Sequence, residues 1–246
     1  MDKLSKEGVV NGVADKQISN AELLPFGKNI WVIEGPMVKD MGLLFSTRMI
    51  VVRMSDGSLW VCDPVRISDN THRLINELGE IKYLLVTTQR HVWRLSSWHE
   101  KYPNAQLWSC ANVPKKLKHL PYTGTMSDSQ NWGCDFEQIT IKGNKLLSEI
   151  AFCHKESKTL IMGDIVQNNE QKDGRPFTNF IFRISGAAYP SGGVGFDLKL
   201  TFTNRKAARE TVCKILSWDF DKLIIAHGPC VTSNAKEYVK RAFSWL

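Results

Sequence analysis

Residues Glu149 to Asn168, EIAFCHKESKTLIMGDIVQN, read as a strand, a tight polar turn and a second strand that ends abruptly on Gly163-Asp164. Ile150, Phe152, Leu160 and Ile161 supply the strand-type apolar residues, and Lys155, Glu156, Ser157 and Lys158 supply the turn. A Gly-Asp placed where a buried strand leaves its sheet sets a carboxylate at the sheet rim, where loops gather and ligands bind. The bland alternative is that Asp164 only caps or turns the chain.

Upstream of this hairpin, Trp31 to Glu34 and Met49 to Val52 read as strands. Met54-Ser-Asp-Gly-Ser58 is a hairpin signal resting on Asp56-Gly57, and its second arm, Leu59 to Cys62, ends on Asp63-Pro64. Ser68 or Asp69 can then cap a helix with Leu74, Ile75 and Leu78 on one face and Gly79 as its stop. Ile81 to Thr87 reads as a fully buried strand, followed by Thr88-Gln-Arg-His91 and a helix carrying Val92, Leu95 and two tryptophans. Ala105 to Ser109 is a further short strand, and Pro114 opens a short basic helix. Strands separated by helices argue for βα units.

Downstream, residues 119 to 134 are irregular and Asp135 to Ile141 returns to strand. The stretch 165 to 200 is glycine-bearing and aperiodic, either a lid or an excursion. Asn204 caps a helix with Ala207, Ala208, Val212, Ile215 and Leu216 as its stripe. Leu223 to Ala226 is a buried strand delivering His227-Gly228, and a last helix starts near Ser233. The second half thus repeats the first: antiparallel strands, then helix, strand and helix.

The 246 residues contain no Pro/Gly/Ser-rich linker, so a single domain over 22–246 behind a loose lead-in of 1–21 is expected. A hydrophobic content of 43% against 23% charged residues suits a chain with a large core. No apolar run reaches membrane-spanning length and the start lacks a signal-peptide core, so a cytoplasmic location is expected and a membrane is not expected as a partner. The six cysteines are scattered singly and read as small buried apolar residues. The net charge of +7 has one cluster, Lys115, Lys116, Lys118 and His119, which a solvated helix face explains; nucleic acid is not expected as a partner.

In order and spacing the residues from about 22 onward resemble the metallo-β-lactamase superfamily. Leu84-Leu-Val-Thr-Thr88 leads into the loop and helix where that superfamily carries its His-x-His-x-Asp-His motif. Thr159 to Asp164 is similar to its strand ending in Gly-Asp, and Leu223 to Gly228 to its last strand ending in His-Gly. Thr47-Arg48-Met49, Asp56 to Trp60, Trp98 with Tyr102-Pro103-Asn104-Ala105, Ser157 to Leu160 and Trp218-Asp-Phe-Asp221 resemble an uncharacterised branch of it, a domain of unknown function.

The resemblance implies an α/β (α+β) fold, a four-layered αβ/βα sandwich of two facing halves. It also implies zinc or iron held by histidines and an aspartate, with a metal-activated water that hydrolyses esters, thioesters, lactams or phosphodiesters. Here that ligand set is depleted. Thr88, Arg90, Val92 and Trp93 stand near the four motif positions, only His91 offers an imidazole in that loop, and Lys145 to Ser148 contain no third histidine. Asp164 and His227 match superfamily positions and are the catalytic candidates; His91, Asp164 and His227 are the metal candidates, for one zinc or iron ion at most or none.

Arg90 would set a fixed positive charge where a dication should sit and is the candidate anion-binding residue. His154 lies too far along the hairpin to reach Asp164, at ~3.3 Å per residue. His72, His99 and His119 read as solvated, and Trp93, Trp98, Trp108 and Trp218 as core. Two readings follow: a metal-dependent hydrolase of unknown small-molecule substrate with an eroded centre, or a non-catalytic relative whose cleft binds an anionic metabolite or a protein partner. A nucleic-acid hydrolase is disfavoured by the missing histidines.

Overall fold

The computed structural model describes residues 22–40, 42–113, 117–126 and 132–246. The expected lead-in over 1–21 and the start of the basic helix at Pro114, with Lys115 and Lys116, lie outside the described residues.

Two sheets form the centre. The first runs in the order β1 (Leu24–Gly27), β2 (Ile30–Asp40), β3 (Leu43–Arg53), β4 (Leu59–Cys62), β5 (Ile81–Leu85), β6 (Gln106–Ser109) and β7 (Gly124–Thr125). Its first four strands pair antiparallel, and β4, β5, β6 and β7 pair parallel, with α1 (Asp69–Leu78) and α2 (Leu95–Lys101) as crossovers. The second sheet contains β8 (Phe136–Thr140), β9 (Ile150–His154), β10 (Thr159–Met162) and β11 (Lys222–Ile225), in the order β11-β10-β9-β8. Helices α3 (Pro176–Ser185), α4 (Phe196–Thr201), α5 (Arg205–Leu216) and α6 (Ala235–Ala242) complete the chain.

Side-chain alternation along the second sheet explains the layering. Ile150, Phe152, Ile161 and Ile224 point into the core shared with the first sheet. Their neighbours Ala151, Cys153, Leu160, Met162, Leu223 and Ile225 join a second core with Ala208, Val212 and Ile215 of α5 and Val239 of α6. A strand buried on both faces reads as a continuous apolar run, as these do. The order helix, sheet, sheet, helix is the four-layered α/β sandwich. Trp60 of β4 ties the sheets together, its ring 4.7 Å from Phe136 and 5.1 Å from Phe152. Phe152→Leu removes part of that contact and is expected to cost about 1–2 kcal/mol in urea unfolding, with the m-value unchanged.

Several local signals act as their chemistry dictates. The Asp56-Gly57 turn closes with Met54 N–H donating to Ser58 O at 2.8 Å, and Gly57 takes φ of 82°. Ser68 caps α1 by accepting from Thr71 N, and Asn204 caps α5 by accepting from Ala207 N. Other readings need correction. The strand Ile81 to Thr87 is shorter and is not fully buried, since Lys82 and Tyr83 are half-exposed. Trp93 is 40% exposed because α2 begins at Leu95, two residues beyond it, and Trp108 of β6 is only half-buried. Of the cysteines, all free, Cys134 and Cys213 are exposed and Cys230 is partly so. His72 is half-buried against Trp98, with its Nδ1 2.9 Å from the Tyr102 hydroxyl. His99 also turns its Nδ1 inward, whereas His119 is exposed as expected. The segment 165 to 200 contains two helices, α3 and α4, where the sequence pattern showed none.

Candidate metal centre

Parallel pairing decides where the chemistry gathers. Met162 of β10 sits beside Ile225 of β11, so the residues two further on, Asp164 and His227, leave the second sheet at the same rim. On the first sheet Cys62 of β4 sits beside Leu85 of β5, so Asp63, Thr87 and Thr88 emerge together. The two rims are stitched by Ile150 N–H donating to Thr87 O at 3.0 Å and by Arg48 of β3, whose guanidinium pairs with Glu34 and donates to the carbonyl of Ile225. Two glycines allow this closeness. A side chain at Gly163 would start 2.5 Å from Thr87 Oγ1, and one at Gly228, where φ is 88°, would start 1.8 Å from Asn168 O.

At the junction His91, Asp164 and His227 converge, with ligand-type atoms all within 4.8 Å of one another. His91 Nε2 is 3.1 Å and His227 Nε2 is 2.9 Å from the same oxygen, Asp164 Oδ1, and the two rings stand edge to face at 89°. The outer ring nitrogens are already engaged. His227 Nδ1–H donates to Ser46 O at 2.7 Å. His91 Nδ1 lies 2.8 Å from Asp63 Oδ2, and the Asp63 carboxylate also accepts from Thr87 N and Oγ1, each at 2.7 Å. A carboxylate only accepts, so Nδ1 of His91 donates to Asp63, and each Nε2 faces Asp164 Oδ1 with either a proton to donate to it or a lone pair for a cation lying between them. Three lone-pair donors aimed at one point repel unless protons or a cation lie between them.

That arrangement fits a metal ion. Two imidazoles, each oriented by an acceptor behind it, and one carboxylate held by a hydroxyl donor are a donor set suited to zinc or iron, with positions left open. Asp164 Oδ2 is fixed by the Thr88 hydroxyl, which donates at 2.7 Å and leaves Oδ1 to the rings. Where no cation lies between these groups, protons take its place. Burial alone would raise the Asp164 pKa, but the facing imidazoles hold it well below the usual carboxylate range. Burial alone would lower that of His91, but Asp164 and Asp63 hold it well above the ordinary histidine value.

Behind the centre lies Glu149, fully buried. Its Oε1 accepts from Gly163 N at 2.9 Å, and its Oε2 accepts from Asp164 N and Ile165 N, each at 2.8 Å. Burial and the nearby Asp164 push its carboxyl up to about 8 against the pull of those three amides. Glu149 therefore holds the turn that aims Asp164. Sequence reasoning missed Glu149, Asp63 and Thr88. An acidic residue in an otherwise apolar strand start was the available signal for Glu149, since an unpaired carboxylate there would be costly.

The other candidates lie as follows. Arg90 lines the cleft beside His91, Trp93 and Gln167, and its guanidinium pairs at 3.4 Å with Asp40 Oδ2, a carboxylate that lines the same cleft. His154 is buried away from the centre, paired in register with Thr159 at the far end of β10 and 2.8 Å from the Ser157 hydroxyl. Among the described residues, no other group of His, Cys, Asp and Glu gathers in this way.

Residues 28–175 match the model of a family described as Domain of unknown function (DUF4336). A comparison with curated proteins found no match. Among solved structures, the DIM-1 metallo-β-lactamase exposed to ceftazidime superposes with a TM-score of 0.64 at 14% identity, covering 93% of this chain and 99% of that one. The FIM-1 metallo-β-lactamase from Pseudomonas aeruginosa in its mono-zinc form gives a TM-score of 0.60 at 10% identity, covering 92% and 96%. A metal-soaked Flv1 flavodiiron core from Synechocystis sp. PCC6803 gives 0.61 at 12% identity, covering 92% of this chain and 60% of that one. The fold is thus of the metallo-β-lactamase type, as the two sheets and their helices indicate.

Proposed function

This chain belongs to the family of domain of unknown function DUF4336, and on that premise we propose that it is a metal-dependent hydrolase whose centre is reduced to one ion held by His91, Asp164 and His227. The observation that carries this reading is the pair of Nε2 atoms 3.1 and 2.9 Å from one carboxylate oxygen, with both Nδ1 atoms already committed to oxygen acceptors. The likeness to a mono-zinc β-lactamase supports a one-ion centre in this fold.

A zinc or iron ion bound there supplies Lewis acidity toward a carbonyl or phosphoryl oxygen and lowers the pKa of a water molecule. The residues of the chain do the rest. Asp63 and the Ser46 carbonyl keep the protons on the outer nitrogens, so that the Nε2 lone pairs point inward. Asp164, held ionised between two imidazoles, is a better ligand than base. Val38 and Phe45 form an apolar wall of the cleft, while Arg90 stands at its rim, able to draw an anionic group of a substrate.

Asp63→Asn is expected to weaken zinc affinity by about 10–100-fold in chelator competition while the melting of metal-free protein changes little, because an amide nitrogen facing His91 Nδ1 opposes the required tautomer. The reaction class is tested by offering aryl esters, thioesters and phosphodiesters to the protein. Turnover should vanish with chelator, return with zinc or iron, and stay absent in His227→Ala. Equal turnover by stripped and metal-loaded protein would overturn the reading.

A second reading is favoured by the same distances and by the two carboxylates that raise the His91 pKa well above the ordinary histidine value. Distances of 2.9 and 3.1 Å are also hydrogen-bond lengths, so two imidazolium rings clasping Asp164 give the same geometry. The cleft would then bind an anionic metabolite with the help of Arg90. In that case the protein is metal-free, chelator leaves its melting unchanged, and a stabilising anion loses its effect in Arg90→Ala.

A further inference from the structure

Exposed large apolar side chains are concentrated in one part of the chain. Of the nine among the described residues, Phe177, Phe180, Ile184, Tyr189, Phe196 and Leu200 lie in the segment carrying α3 and α4. On α3, Phe177, Phe180 and Ile184 are 67%, 59% and 61% exposed and follow an i, i+3, i+7 spacing, which is a single helix stripe. The opposite face is already used: Thr178 and Phe182 are buried, and the Phe182 ring packs 5.3 Å from Phe45, which in turn lies 5.0 Å from His227. The stripe therefore points away from the core. On α4, Leu198 is buried while Phe196 and Leu200, one turn apart, face outward.

The end of α3 and the start of α4 lie close together. Ala187, just past α3, lies 4.0 Å from where a side chain at Gly195, just before α4, would start. At the far end of α4, Lys145 N–H donates to Thr201 O and brings the loop of Leu146, itself 71% exposed, beside Leu200. The segment that carries this surface is basic, with Arg175 at the start of α3 and Arg183 in its last turn. Residues 170–209 contain seven basic side chains against three acidic ones. Lys199 and Arg205 both lie over the half-buried Trp245 ring, at 6.0 and 5.6 Å.

We propose that the α3–α4 surface docks this chain on an anionic lipid bilayer, the apolar stripes entering the headgroup–acyl boundary and the cations of the segment meeting lipid phosphates. Protruding aromatic and aliphatic side chains on short helices, in a segment rich in Lys and Arg, are the features that bind such an interface. A second copy of the chain is the poorer occupant, because a two-fold contact sets these cations against one another. The expectation that no membrane is a partner came from the lack of a spanning segment; surface docking needs none. This proposal is independent of the metal centre, which sits on the other side of Phe182 and Phe45.

The test is sedimentation with phosphatidylcholine vesicles with and without phosphatidylserine. Binding is expected only with the anionic vesicles, equally for metal-loaded and stripped protein. Changing Phe177, Phe180 and Ile184 together to Ser should lower partitioning at least about tenfold, and Arg175→Gln and Arg183→Gln about fivefold each, all with wild-type melting. Failure to bind, equal binding to both vesicle types, or a concentration-dependent dimer that the triple variant abolishes would each overturn the proposal.

Discussion

Asp164→Ala is expected to empty the centre and to lower any hydrolytic turnover by at least about 100-fold, beyond the range that changes behind the ligands produce. Asp164 is the single anionic donor of the three, and both imidazoles point at its Oδ1. Without it, two neutral rings face each other across a gap and hold a dication poorly. Stability falls with occupancy. A ligand present at a thousand times its Kd stabilises by about 4 kcal/mol, which for a chain of this size corresponds to roughly 8–16 °C in melting midpoint. Zinc-loaded wild type and Asp164→Ala should therefore separate by about that interval in thermal scans, and chelator should close the gap from the wild-type side only.

Glu149→Ala should have the largest effect that does not remove a ligand. Three buried amide donors, from Gly163, Asp164 and Ile165, lose their acceptor at once. Water reaches that position poorly, and a loss of roughly 3–5 kcal/mol is expected, or about 10 °C or more of melting. Glu149→Gln should lie between, because its amide nitrogen meets the Gly163 N–H or the other two donors instead of accepting from them. The pH dependence follows from burial and the Asp164 charge, which raise the Glu149 carboxyl from 4.5 to about 8. A raised pKa means that the contribution is full below about 4.5 and lost as the pH climbs through about 8. Chelated wild type should thus lose melting temperature across that window, and Glu149→Gln should show a flatter profile.

Much of this fold is legible because its strands are short, apolar and punctuated. The Asp56-Gly57 turn, the Lys155 to Lys158 turn and the caps at Ser68 and Asn204 are local chemistry, and local chemistry survives folding unchanged. The rim residues Asp164 and His227 are legible for a related reason: each ends a continuous apolar run, and the register that joins them is set by parallel pairing of those runs. Asp63 and Glu149 are harder. Asp63 reads as a strand stop before Pro64, and only the arrival of β5 beside β4 brings Thr87 and His91 to its carboxylate. Glu149 looks like an ordinary polar residue until the hairpin folds back and sets three amides against it. The helices α3 and α4 escape notice because their stripes face outward instead of matching a core, although Pro176 at the start of α3 and Gly186 at its end mark that helix.

Trp93 shows the same limit from the other direction. An aromatic residue two positions from His91 fits a helix stripe by spacing, yet the chain enters α2 only at Leu95. Trp93 is left lining the cleft with Arg90 and Phe45 and is not part of the core.

If His91, Asp164 and His227 hold one metal ion, the purified protein carries it. Elemental mass spectrometry on protein purified without a metal-binding tag tests this most directly, run on wild type and Asp164→Ala in parallel. About one zinc or iron per wild-type chain and background levels in the variant are expected. Wild type that stays metal-free after incubation with zinc and with iron(II) would contradict that expectation and leave the paired imidazolium rings as the explanation of the geometry.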